Sequence, residues 1–149
     1  MPEYREKLWP TPWVFIVIAL VVPASILVFA PISLPAGIIT GIVLYAGCVV
    51  LLTIASPVVH VANGVLTAGP AQIPIDLLGD AEAHEGAEAT RQRGTALDAR
   101  AWLLIRGWVQ PVVRIPVNDP NDRAPYWLVS SRHPHKLAAA INRSRRPAV

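Results

Sequence analysis

Between Trp13 and Ser56 the chain holds two nearly unbroken apolar runs, Trp13 to Ala30 and Leu34 to Ala55, and neither contains a charged residue. An α-helix rises about 1.5 Å per residue and the hydrocarbon core of a bilayer is about 30 Å thick, so each run is long enough to cross one. Only Pro31, Ile32 and Ser33 separate the runs, or Pro31 to Pro35 if the turn is drawn more widely. So short a connector turns the chain straight back, and the pattern predicts a transmembrane helical hairpin over residues 13–56.

On this basis the chain divides into a cytoplasmic arm at residues 1–12, the hairpin, and a soluble part at residues 57–149, which is the length of one small domain. The chain is 53% hydrophobic and 15% charged, and nearly all of the charge lies outside the two runs, so its hydrophobicity is local. The lone cysteine, Cys48, sits inside the second run. No intramolecular disulfide can form, and nothing requires the soluble part to face an oxidising compartment. Arg5 and Lys7 precede the first run, whereas the connector has no Lys or Arg. The positive-inside rule then puts the arm in the cytoplasm, and the hairpin returns the chain there, so both termini of this multi-pass inner-membrane protein are expected on the cytoplasmic side. Cleavage of the first run as a signal peptide is disfavoured by its length and by Glu3 and Glu6 ahead of it.

Within the hairpin, Pro23 leaves the carbonyl of Ala19 without its helical donor, and the phenol of Tyr45, at matching depth, is the expected replacement. Gly37 and Gly41 form a GxxxG that lets another backbone approach, either within the hairpin or in a dimer. No ionisable residue lies in either run, which argues against an ion or proton path through these helices alone.

The soluble part reads as a small α+β domain of antiparallel strands with a C-terminal helix, an order found in partly open barrels of the pleckstrin-homology type. Asn63-Gly64 between two short branched runs predicts a hairpin. AQIPIDLL reads as a third strand, with Pro74 favouring an edge or a bulge. Gly79 to Asp98 is polar and nearly free of large apolar residues, so a mobile loop is expected there, with a helical turn around Glu82 to Arg93. Further strands are expected at Ala101 to Arg106, at Trp108 to Val117 with Val113, Ile115 and Val117 on one buried face, and at Tyr126 to Ser131. His133 to Arg145 reads as a helix with Pro134 at its first position and Leu137 and Ile141 docking on the sheet.

Several of these stretches occur together in a recognisable way: YREKLW at Tyr4 to Trp9, the two-span hairpin, NGVLTAG at Asn63 to Gly69, DARAWLLIRGWV at Asp98 to Val109, and DPNDRAPYWLVSSRHPHKLAAAI at Asp119 to Ile141. The combination resembles an uncharacterised actinobacterial two-span membrane protein family, domain of unknown function 3093. The resemblance covers nearly the whole chain and is most specific at PYWLVSSRHP. It implies a bacterial inner-membrane protein and supplies no catalytic residues, substrate or partner. His133 and His135 stand where more basic or acidic residues are expected in such proteins.

The residues themselves offer little catalytic chemistry. Asp119, Asn121 and Asp122 lack the central glycine and closing glutamate of a calcium loop and are ordinary turn residues. His84 with Glu82, Glu85 and Glu88 offers metal ligands on a stretch expected to be too flexible to hold them. There is no Walker loop, GxGxxG, HExxH or CxxC. No enzyme activity, catalytic residue, metal or cofactor is expected. Arg132, Lys136, Arg143, Arg145 and Arg146 make the C-terminal helix and tail cationic, which suits an anionic lipid surface. Without an aromatic platform beside that charge, nucleic-acid binding is not expected. Trp102, Arg106, Trp108, Tyr126, Trp127 and Arg132 are the candidate interaction residues, Trp108 and Trp127 reaching the surface beside Arg106; Gly37, Gly41 and Tyr45 are the candidate helix-packing residues. The function expected is non-enzymatic: display of the cytoplasmic domain at the membrane surface for a protein partner or for self-assembly. The alternatives are an accessory subunit of a larger transporter or membrane-enzyme complex, docked through Gly37 and Gly41, and a small membrane-surface enzyme.

Overall fold

The computed structural model describes residues 3–146. The chain forms two compact units: Trp9–Ser56, and a second unit built from the residues before that segment together with those after it. The hairpin is therefore inserted into a domain whose first strand precedes it.

The inserted unit holds α1 (Pro12–Ala19), α2 (Val21–Phe29) and α3 (Leu34–Ile54). Pro23 cannot donate to the Ala19 carbonyl, and the helix is interrupted at Leu20, between α1 and α2. No hydrogen bond joins Tyr45 to Ala19 among the described residues, so the expected replacement donor is not the phenol. Ser33 caps α3 by accepting from the Ala36 N–H at 3.4 Å, with Pro35 in the first turn. Pro12–Phe29 and Leu34–Ile54 are both long and apolar enough to cross a membrane. Their outward side chains, among them Leu27 and Ile54 at 77% exposure, are large and apolar.

In the other unit Tyr4–Lys7 is strand β1. It pairs antiparallel with β2 (Val58–Ala62), which continues through β3 (Val65–Ala68) to β4 (Ala71–Pro74) in one four-stranded sheet. Residues expected to form part of a separate arm are thus an integral sheet edge. The alternation of Tyr4 and Glu6 with Arg5 and Lys7 is the period of a strand. Asn63 and Gly64 both take positive φ, +53° and +71°, as the two-residue turn between β2 and β3 requires. β4 lies at the opposite edge, where Pro74 costs no ladder bond.

The second sheet has the order β5 (Glu82–His84), β7 (Val112–Pro116), β8 (Tyr126–Ser130), β6 (Trp102–Leu104). Here β6 and β8 run parallel, against the expectation of antiparallel strands throughout, because the long excursion through β7 returns the chain to β6 in the same direction. The helical turn expected around Glu82 to Arg93 is present as helix α4 at Gly86–Arg93, whereas Glu82–His84, expected within it, is strand β5 paired with β7 in place of the expected loop. Large apolar residues were not needed there. Ala89, 1% exposed, packs α4 over Val112, Tyr126 and Leu128, and Gln92 on the same helix is buried as well. This cover explains why both faces of β8 are buried and why Val112 as well as Val113 and Ile115 is inside. The other face of the second sheet joins the first sheet and α5 (Pro134–Arg145) in one core, with Val59, Val61, Leu66, Ile115, Trp127, Leu137 and Ile141 among its members.

Candidate functional site

The two stretches most distinctive in sequence, YREKLW and VSSRHP, meet in space. Antiparallel pairing of β1 with β2 turns Tyr4 and Glu6 to the same face, toward the junction between β8 and α5. One carboxylate oxygen of Glu6 accepts from the Tyr4 hydroxyl at 2.6 Å and from the Ser131 hydroxyl at 2.6 Å; the other accepts from the Arg132 N–H at 2.9 Å. The Ser131 hydroxyl also accepts from the His133 N–H at 3.1 Å and stands 3.1 Å from the Tyr4 oxygen. Ser131 is fully buried. Its hydroxyl is committed to Glu6, so the arrangement works as a clasp rather than as an open nucleophile. Nearby, the Glu3 carboxylate accepts from Ser144 on α5, and Arg145 pairs with Asp80. Two of the chain's C-terminal side chains therefore hold the helix in place.

Burial, reinforced by the neighbouring Glu6 carboxylate, pushes the Tyr4 phenol well above its ordinary value of 10.0. Because the folded-state value lies above the unfolded one, the phenol contributes stability that is fully present below pH 10 and is lost as pH rises through the folded-state value. Alkaline melts of the full chain between pH 8 and pH 12 are expected to show a falling transition temperature whose slope is reduced in Tyr4→Phe, each pH unit between the two values being worth about 1.4 kcal/mol at most. An unchanged slope in the variant would show that Tyr4 ionises freely.

The six candidate interaction residues do not form one open patch. Trp127 and Tyr126 are 5% and 3% exposed and belong to the core. Trp127 stacks at a tilt of 35° on half-buried Trp102, with ring centroids 4.4 Å apart. Tyr126 accepts from the Asp98 N–H at 2.8 Å and carries the Arg114 guanidinium 4.3 Å above its ring. Trp108 is half-buried, and its indole N–H donates to the Leu8 carbonyl at 3.3 Å. The backbone N–H of Arg106 donates to Ser130 Oγ at 3.1 Å. Strand alternation cannot reveal this outcome, because β8 is covered on both sides and both of its faces turn inward. What remains outside is a shallow groove at the start of α5, lined by Glu85, Arg132, His133, Pro134, His135 and Lys136. His135 faces Glu85 across it at 3.7 Å.

Gly37 and Gly41 are packed within the hairpin. A Cβ on Gly37 would lie 3.0 Å from the Ile26 Cα, and one on Gly41 would lie 2.9 Å from the Val22 Cα. The GxxxG face is thus filled by α2. Among the described residues no three His, Cys, Asp or Glu side chains gather as a metal site; His84 lies 3.6 Å from Glu82, on β5 rather than on a loop.

A family model described as "Protein of unknown function (DUF3093)" matches residues 3–141, a span that includes both halves of the clasp and the hairpin between them. No curated protein and no solved structure matches the chain.

Proposed function

The chain belongs to this DUF3093 family, and on that premise we propose a non-enzymatic, multi-pass protein of the bacterial inner membrane. Its hairpin spans the bilayer, both termini are cytoplasmic, and the β-rich domain binds a protein partner or a second copy at the membrane surface. The domain is read as a variant of the pleckstrin-homology arrangement, in which strands are closed by one C-terminal helix. The observation that carries the reading is the insertion itself. The Leu8 N–H donates to the Pro57 carbonyl at 2.9 Å, so the two roots of the hairpin leave the domain side by side. A domain joined to its anchor by two chain segments is tethered twice, where a single linker tethers it once. Double tethering suits a domain that works at the membrane surface. The groove from Arg132 to Lys136 is the face proposed.

The accessory-subunit reading relies on Gly37 and Gly41 as a docking face, and α2 occupies that face. The test is photocrosslinking in living cells, with a photoreactive residue at Lys136 in one strain and at Leu27 in another. Adducts with a discrete protein from Lys136 and none from Leu27 are expected. Protein adducts confined to Leu27 would establish the accessory-subunit alternative. Unchanged membrane localisation after removal of Trp9–Ser56 would end the anchoring role.

A further inference from the structure

We infer that the outer face of the first sheet is a binding site for a phosphate group, supplied by an anionic lipid headgroup or by free phosphate. Arg5, His60 and Thr67 stand in one row across three strands, Arg5 opposite His60 and His60 opposite Thr67. Directly opposed residues have Cβ atoms about 4.5–5.5 Å apart, so the three polar side chains stand side by side on one face, with Arg5 and Thr67 about 10 Å apart across His60. With Val58, Ala62 and Gly69 they line a cavity of about 430 Å³, room for a phosphate group and part of the molecule that carries it. The small residues make the room, and positive φ at Gly69 (+58°) lets the chain turn at its edge.

The polar side chains in this row make no hydrogen bond or ion pair with one another or with any other described residue. Thr67 is 8% exposed as a residue, and its hydroxyl opens to the cavity rather than to a neighbouring side chain. No carboxylate lines the cavity. Glu6 points to the opposite face, into the clasp, and Glu3 is engaged by Ser144. A guanidinium with an imidazole and a hydroxyl, and no acid, is a donor set matched to phosphate oxygens.

The row is also close in sequence to the roots of the hairpin. Arg5 is four residues from Trp9 and His60 four from Ser56, and at a maximum of about 3.6 Å per residue neither is more than about 14 Å from a root. That proximity favours a headgroup as the source and rests on the membrane reading proposed above; the donor set and the cavity do not.

Full-length protein in a neutral detergent is titrated with dihexanoyl phosphatidylglycerol and, separately, with inorganic phosphate, and binding is read as the rise in melting temperature. Wild type is expected to be stabilised by the short-chain lipid, with affinity reduced roughly tenfold or more in Arg5→Gln and in Thr67→Val. Arg123→Gln, an exposed cation in the turn before β8, is expected to leave it unchanged. Stabilisation by inorganic phosphate but not by the lipid, lost in the same variants, assigns the site to free phosphate and leaves the membrane reading to the crosslinking test. Absence of binding by either probe, or equal binding in Arg5→Gln and wild type, overturns the inference. Arg5 is exposed, so its variant is expected to melt unliganded at the wild-type temperature; if it does not, His60→Gln takes its place in the comparison.

Discussion

Removal of Glu3–Leu8 is expected to unfold the β-rich unit, although the segment looks from sequence like a dispensable arm. The deletion takes away β1, which is paired with β2 over four residues, and with it Leu8, which is fully buried. Losing a buried leucine costs about 2–3 kcal/mol, and each ladder hydrogen bond adds about 1 kcal/mol. The loss of Glu6 leaves the buried Ser131 hydroxyl and the Arg132 N–H without their acceptor, at about 1–3 kcal/mol for each unsatisfied group. Together these are comparable to the roughly 5–15 kcal/mol that holds a small domain together. The near-ultraviolet circular dichroism of the stacked Trp102 and Trp127 reports the result directly. Its disappearance in the deletion is expected, together with a drop of more than about 10 °C in Leu8→Ala, where the cavity cost is about 2–5 kcal/mol. A deletion variant that kept the wild-type tryptophan signal and melting temperature would show that β1 does not belong to the domain.

The second large effect concerns the hairpin. Gly41→Leu is expected to break the packing of α2 on α3, because a Cβ there would stand 2.9 Å from the Val22 Cα, which is backbone and has no rotamer to yield. Overpacking by even one or two carbons costs about 1–3 kcal/mol, and a leucine adds four. The same substitution at Gly47, on the same helix, meets no atom within 4 Å. There the gain in helix propensity, about 0.8–1 kcal/mol on leaving glycine, acts unopposed in an exposed helix interior. Helical circular dichroism melts in mild detergent should therefore separate the pair, with Gly41→Leu far below wild type and Gly47→Leu at or slightly above it. Equal melting temperatures for the two variants would mean that the GxxxG face is not closed within the hairpin. A Gly41→Leu variant that melted normally but lost a higher oligomer would instead place that face between copies of the chain.

Which elements are readable from sequence depends on the strength of the local signal. The apolar hairpin is legible because two long uncharged runs repeat one message, and the turn at Asn63-Gly64 is legible because positive φ at both positions leaves few other choices. Pro134 opening α5, with Leu137 and Ile141 both fully buried, is legible for the same local reasons. Helix α4 is legible only in part: a helical turn is expected there, but a helix that buries just Ala89 and Gln92 has no apolar stripe to show how far it runs or what it covers. The aromatic residues are the hardest to place. Composition alone does not distinguish a tryptophan on an open face from one under a second layer, and Trp127 is the latter.

From the chain alone came the existence, length and antiparallel return of the hairpin, the β-rich character of residues 57–149, and the C-terminal helix, because each is set by interactions among residues close in sequence. Tertiary structure decided everything that depends on distant partners. It made the arm a strand, turned Tyr4 and Glu6 toward Ser131 and Arg132, put Arg5 beside His60 and Thr67, ran β6 parallel to β8, and buried the aromatic pair. The physical reason is that a four-residue strand has no stability by itself. Tyr4–Lys7 acquires its conformation only from the edge of β2, on the far side of the hairpin in sequence, and no local periodicity names the edge it will join.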